Sequence, residues 1–170
     1  MRLKKIYELA YTMGMQADPR GMEIVEKDLL AKQKEYDALK EKDRVYFDVE
    51  TLKNPYSDTR LLAGDEGAEI KSVMMGIDME VGEVLLADRM KEKGHPVDLL
   101  IAHHPEGSAL AALSEVMHIQ CGMMYKNGVL PNVAQAIMEH RISEVERGIA
   151  PLNHQRAVAA AKLLEQAFLC

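Results

Sequence analysis

The chain has 170 residues and a mass of 19.0 kDa, the size of one domain, and 48% of its residues are hydrophobic, enough to form a core. Its formal net charge of -6 argues against a general nucleic-acid-binding surface, which needs a basic face. Cys121 and Cys170 are too few for a disulfide framework. Because the sequence shows neither a signal peptide nor a membrane-spanning apolar run, we expect a cytoplasmic protein.

Two helices are predicted at the amino-terminal end of the chain. The first, Met1 to Met15, has apolar residues at helical spacing and is followed by the turn signal at residues 18–21. The second runs from Met22 to about Lys42 and mixes apolar with charged residues. Such a helix is usually a solvated face or an oligomer contact, so we assign it no catalytic role.

A hairpin is predicted after this helical pair. Asp48 to Asp58 has the composition of a loop, and Thr59 to Ala63 that of a short strand. Residues 64–67 predict a turn, and Ile70 to Met79 predicts the returning strand. We therefore expect these two strands to pair in antiparallel fashion and to feed the sheet.

The clearest pattern in the sequence is a strand, a helix and a second strand. Val73 to Met79 is predicted to be a buried strand, and Val81 to Lys93 a helix that Gly94 closes. Val97 to Ala102 is an apolar run of strand length. A unit of this length predicts a right-handed βαβ crossover with parallel strands.

The second of these strands ends directly in His103, His104, Pro105 and Glu106. Pairing should stop at the proline, which has no N–H, so both imidazoles reach the carboxyl end of a central strand, where open α/β sheets keep their sites. Two histidines that diverge from one point suit two metal ions, or one ion plus a catalytic acid. The alternative is that one histidine caps the strand end and the other lies in solvent.

Asp78 is predicted at the carboxyl end of the neighbouring strand, on the same sheet edge as the histidines. It accepts an N–H from one histidine, or it caps the helix that follows. The sequence favours neither role over the other.

A helix is predicted from Ser108 or Ala109 to about Lys126. Glu115 and His118 are three residues apart on it and therefore neighbours, a spacing that carboxylate-bridged dinuclear sites use. The same spacing is also common by chance, so a ligand role for His118 is one of two interpretations.

Another helix is predicted from Val133 to about Arg147, with Asn132 as its N-cap after an extended segment at residues 129–131. His140 and Glu144 are four apart on it, but the charged residues around them indicate a solvated face.

The last predicted helix runs from His154 to Gln166, with Asn153 as its cap. His154 and Arg156 lie in its first turn, where an anionic ligand is favourable, so His154 is a candidate contact for a phosphate or metal site. Ala167 to Cys170 then begins a third buried strand, which is still apolar where the sequence stops, and this predicts a shortened or fragmentary protein.

The sequence thus predicts one α/β domain over residues 1–170, incomplete at its carboxyl-terminal end. The predicted domain contains a βαβ unit with parallel strands in a mixed sheet. Helices flank this sheet, and a pair of helices precedes it at the amino-terminal end.

The βαβ unit and its His-His-Pro ending resemble the Nif-three-like family, also described as type-two GTP cyclohydrolase homologues. The matching residues are Gly76-Ile77-Asp78, the helix after them and Asp98 to Pro105. The resemblance covers Val73 to Gly107 and reaches the rest of the chain only in outline.

This resemblance implies a dinuclear-metal α/β protein that forms a ring-like homo-oligomer, commonly a hexamer. It implies that His103 and His104 each contribute a ligand to one of two divalent ions, for which zinc, iron, manganese and nickel are candidates. It also implies a purine nucleotide or another phosphorylated small molecule as substrate. No residue here matches the family's remaining ligands, and Glu106-Gly107 replaces its bulky apolar residue after the proline.

Two functions follow as hypotheses. The first is metal-assisted hydrolysis, with His103 and His104 holding the ions and Glu106 or His118 transferring protons. The second is a non-catalytic oligomeric scaffold or metal-responsive interaction protein, which the missing ligands favour.

Overall fold

The computed structural model describes all residues from Met1 to Cys170. The helices are α1 (Leu3–Ala17), α2 (Met22–Ala38), α3 (Glu41–Arg44), α4 (Val81–Glu92), α5 (Gly107–Ala111), α6 (Leu113–Val116), α7 (Ile119–Lys126), α8 (Pro131–Ile149) and α9 (Arg156–Leu163), with a 3-10 turn at Val49–Leu52. The strands are β1 (Leu61–Ala63), β2 (Val73–Gly76), β3 (Leu99–Ala102) and β4 (Ala167–Leu169). None of the helices combines the length and apolar composition needed to cross a membrane.

The four strands form one mixed sheet in the order β1-β4-β3-β2. β3 lies between β4 and β2 and is parallel to both, whereas β1 is antiparallel to β4. The predicted α/β fold class, with a βαβ unit and parallel strands in a mixed sheet, is therefore confirmed. The carboxyl end of β3, where the histidines follow, is a central position of the sheet.

The predicted hairpin between the first two strands is wrong. β1 and β2 lie at opposite edges of the sheet, and Leu61 pairs with Leu169 of β4. The turn predicted at residues 64–67 does form, since the N–H of Ala68 donates to the carbonyl of Asp65 at 2.9 Å, but the chain that leaves it bonds to the start of the protein and not to β1. The N–H of Leu3 donates to the carbonyl of Ala68, and the N–H of Ile70 donates to the carbonyl of Met1.

The sheet separates two apolar clusters, because neighbouring strand residues face opposite sides. One cluster of 12 buried residues includes Leu100 and Phe168 and is covered by α4, α5 and α9. The other has 6 buried residues, among them Leu99, and is covered by α1 through Leu3 and Tyr7. The larger cluster anchors the helices that surround the carboxyl end of the strands.

The helix predicted from Ser108 to Lys126 is three short helices, α5, α6 and α7. Ala112 leaves helical geometry between the first two, and its carbonyl accepts a hydrogen bond of 3.0 Å from the Ser57 hydroxyl. The same carbonyl accepts the N–H of Glu115 at 3.0 Å, a bond three residues along instead of four, and no glycine or proline signals the break.

Other boundaries moved by a few residues. α8 begins at Pro131 with Leu130 as its N-cap, not with Asn132, because proline is well suited to the first helical position. α9 begins at Arg156 rather than His154, and the Asn153 side chain accepts the N–H of Gln155 in the turn before it.

Candidate metal-binding site at the sheet edge

The backbones of β2 and β3 continue to pair beyond the ends of both strands. The N–H of His103 donates to the carbonyl of Gly76 at 2.9 Å, and the N–H of His104 donates to the carbonyl of Ile77 at 2.8 Å. This extension holds both histidines at the sheet edge and brings Asp78 alongside His104.

The rings of His103 and His104 lie side by side at this edge. Their centroids are 5.3 Å apart, the ring planes are tilted by 35°, and both residues are exposed. The turn that follows the strand therefore directs both imidazoles toward the same region of solvent, although neighbouring residues within a strand point apart.

Asp78 contacts the second of the two rings. Its Oδ1 lies 2.8 Å from Nδ1 of His104, and because a carboxylate only accepts hydrogen bonds, Nδ1 carries the donated proton. The following helix is capped by Glu80 instead, which forms a reciprocal capping box with Glu83. Of the two roles that the sequence left open for Asp78, the structure shows the contact with histidine.

Glu106 is half-buried beside this pair. Burial raises the pKa of its carboxyl, and the nearby carboxylates of Glu80 and Asp78 raise it further, against the opposite effects of Arg156 and His154. A carboxyl with a raised pKa in such a place is a candidate for proton transfer.

The candidate anion contacts in the turn before α9 and at its start are already engaged. The Nε2 of His154 lies 2.9 Å from the carbonyl of Ile149, and a guanidinium nitrogen of Arg156 lies 3.5 Å from a carboxylate oxygen of Glu80. The carbonyl of His154 accepts the N–H of Gly107 at 3.0 Å, which ties this segment to the chain just after the histidines. Glu80 was missed by the sequence reasoning, because glutamate is not among the residues usually preferred at an N-cap.

His118 lies in a different place from the other predicted site residues. It follows α6, and with Glu115 it lines a groove of ≈ 520 Å³ between the α6–α7 segment and α2, where Arg20 and Asp28 also lie. Neither histidine of the pair, nor Asp78, nor Glu106 lines that groove. The structure therefore brings Glu106 and the histidine pair to one sheet edge and does not bring His118 to them.

The chemistry of the donors fits a divalent metal ion, but their number falls short. Neutral imidazole is the commonest metal ligand, and a carboxylate that orients one ring is a usual companion. No group of three or more His, Cys, Asp and Glu side chains is arranged so that it could hold an ion. The chain supplies two imidazoles of a ligand set that normally has four or more members.

The fold is similar to that of a solved NIF3 superfamily protein from Sphaerobacter thermophilus. The two chains share 32% sequence identity with a TM-score of 0.59, and the match covers 66% of this chain and 39% of the other. No protein-family model matches the chain, and no curated protein matches it.

This similarity supports the resemblance noted in the sequence. The chain is an α/β domain with a NIF3-like fold, and its match spans 39% of the length of the solved relative.

Proposed function

We propose that this chain is a NIF3 superfamily member that binds divalent metal ions through His103 and His104 and serves metal-dependent hydrolysis. The observation that carries the proposal is the pair of exposed imidazoles, 5.3 Å apart, at the end of the central strand of a NIF3-like sheet. Side chains at this end of parallel strands form the sites of open α/β sheets.

The residues around the pair suit this chemistry. A bound divalent ion would supply Lewis acidity and lower the pKa of a coordinated water. The extended pairing of β2 with residues 103 and 104 fixes the backbone of both histidines. Glu106 is the better candidate for moving a proton, because its raised pKa and its place at the same edge favour it over the distant His118.

The resemblance extends the proposal to substrate and assembly. A nucleotide or another phosphorylated small molecule is the proposed substrate, and a ring-like homo-oligomer, commonly a hexamer, is the proposed assembly. Water, substrate or groups outside these residues would complete the ligand sets of zinc, iron, manganese or nickel.

The absence of a third converging ligand favours a second candidate function, a non-catalytic scaffold or metal-responsive interaction protein. It differs from the first in predicting metal binding or assembly without turnover. Hydrolase assays on nucleotides with added manganese, zinc or iron separate the two. Turnover that is lost in both His103→Ala and His104→Ala would rule the scaffold out.

Metal content is the direct test of the proposed site. The purified chain is loaded with Mn²⁺, Zn²⁺, Fe²⁺ or Ni²⁺, dialysed and analysed by mass spectrometry, alongside His103→Ala and His104→Ala. His95→Ala is the matched control, because His95 is exposed and lies at the opposite end of β3. We expect both variants of the pair to lose metal and the control to retain it; equal content in all four proteins would refute the proposal.

A further inference from the structure

We propose that Asp78 is a positioning residue that holds His104 in the tautomer with its proton on Nδ1, so that Nε2 is the metal-binding atom of that ring. This inference rests on the proposed metal-binding function and adds to it the atom that binds and the residue that selects it. A neutral imidazole has one N–H and one bare nitrogen, and a hydrogen bond at one decides which nitrogen is free.

The position of Asp78 is set by the strands. β2 and β3 pair in parallel from Val73 with Leu99 to Gly76 with Ala102, and the backbone bonds to His103 and His104 continue that register. Asp78 is therefore the residue of the β2 chain that lies beside His104. The distance of 2.8 Å between Oδ1 and Nδ1 follows from this pairing rather than from a chance encounter of two long side chains.

The Asp78 carboxylate has no other role that would compete for it. At the start of α4 the Glu80 side chain accepts the N–H of Glu83, and the Glu83 side chain accepts the N–H of Glu80 in return. The contact with His104 is the one hydrogen bond that the Asp78 side chain makes. A strand-end aspartate that leaves the capping of the next helix to another residue is free to orient a ring.

His103 provides a contrast within the same site. Its ring has neither a carboxylate partner nor a hydrogen bond to another side chain, although it lies beside His104. Its tautomer should therefore not depend on Asp78, which makes it an internal control.

Direct ligation by Asp78 is the competing role. It is disfavoured because Oδ1 already faces Nδ1 of His104. In the proposed role the carboxylate acts only through His104. Removing Asp78 should then have no further effect once His104 is absent.

The first test reads the tautomer in metal-free protein. Histidine ¹⁵N NMR at about pH 8, above the usual imidazole pKa, distinguishes Nδ1–H from Nε2–H for each ring. We expect His104 to carry its proton on Nδ1 in the wild type and to move it to Nε2 in Asp78→Ala, while His103 does not change. Asp37→Ala, which removes an exposed aspartate on α2, is the control for Asp78→Ala. A His104 tautomer that is the same in wild type and Asp78→Ala would overturn the proposal.

The second test measures Mn²⁺ affinity by electron paramagnetic resonance in wild type, Asp78→Ala, His104→Ala and the double variant. Partners of this kind typically contribute about 10- to 100-fold to metal affinity, so we expect a loss of that size in Asp78→Ala. The double variant should bind as weakly as His104→Ala. A further loss in the double variant would make Asp78 a direct ligand, and unchanged affinity in Asp78→Ala would remove its role. A wild type that binds none of Mn²⁺, Zn²⁺, Fe²⁺ and Ni²⁺ would refute the proposed function instead, and the NMR result would still decide the tautomer.

Discussion

An aspartate connects the two strands at each end of the β2–β3 pair, but one contacts backbone groups and the other contacts a side chain. At the amino end, Asp98 of the β3 chain accepts hydrogen bonds of 2.8 Å from the backbone N–H groups of Lys71 and Ser72. At the carboxyl end, Asp78 of the β2 chain contacts the His104 ring, also at 2.8 Å.

The difference lies in what each carboxylate holds. Asp98 satisfies backbone donors at the start of a strand, where an unpaired N–H would weaken the sheet, and it also accepts from the Ser72 hydroxyl. Asp78 holds an exposed side chain that the fold does not need. The amino end is thus organised for stability, and the carboxyl end leaves its aspartate available for a site.

At the carboxyl end of the β2–β3 pair, the chain is stabilised by packing at Gly107 and not by an aspartate. Gly107 is buried with φ of 59°, and a Cβ there would lie 2.7 Å from Cγ2 of Val158 on α9. The close packing of α9 on this glycine fixes the chain just after the histidines. The residues proposed to bind metal and the residue that anchors this segment are therefore different.

The largest expected effect is that of Gly107→Ala. The left-handed backbone and the collision with Val158 should together lower the free energy of unfolding by about 3 kcal/mol. Urea denaturation measures this. Gly128→Ala is the control, because Gly128 also has positive φ but has nothing within 4 Å of the added Cβ, so it should lose only about 1 kcal/mol. Equal losses in both variants would show that α9 does not pack on Gly107 as described.

Asp98→Ala should cause the next largest loss of stability. It removes the acceptor for two backbone N–H groups and a hydroxyl, so we expect the free energy of unfolding to fall by about 1.5 kcal/mol. Metal affinity should not change, since Asp98 lies at the other end of the strands. A variant as stable as the wild type would contradict the structural role of this carboxylate.

The same carboxylate predicts a pH dependence. Hydrogen bonding by the N–H of Lys71, together with that by the N–H and hydroxyl of Ser72, lowers the pKa of Asp98 below its ordinary 3.8, against the opposing effect of burial. A lowered pKa in the folded state means that the stabilisation is complete above the ordinary value and is lost as the pH falls through the lowered one. The stability gap between wild type and Asp98→Asn should stay constant from about pH 7 to about pH 5 and shrink below about pH 4. Urea denaturation across this range measures it, and a gap that persists at the lowest pH would contradict the assignment.

The sequence predicts both ends of the β2–β3 pair but not the sheet around them. The runs from Val73 and from Val97 are apolar over strand length, and Gly94 marks the helix end between them, so this βαβ unit is visible in local residues. The pairing of β1 with β4 is not visible, because Leu61 and its partner Leu169 lie at distant points of the sequence.

In the candidate site too, local features could be predicted from the sequence and long-range contacts could not. The histidine pair and Asp78 could be placed at one sheet edge by counting along two parallel strands. The role of Asp78 could not be decided without knowing that Glu80 caps the next helix. His118 was a candidate because of its spacing to Glu115, but the break at Ala112, held by Ser57, turns that segment toward α2.

The smallest effect on stability should be that of Asp78→Ala. Comparing this variant with Asp98→Ala tests directly whether the two aspartates have different roles. The side chains of His104 and Asp78 are 59% and 72% exposed, and an exposed pair of this kind contributes little to folding. We expect the free energy of unfolding to change by less than about 0.5 kcal/mol, against the larger loss in Asp98→Ala. Parallel urea denaturation of the two variants measures the difference. A loss in Asp78→Ala as large as that in Asp98→Ala would mean that both aspartates clamp the strands, and the carboxyl end would then have no carboxylate to spare for orienting a ligand.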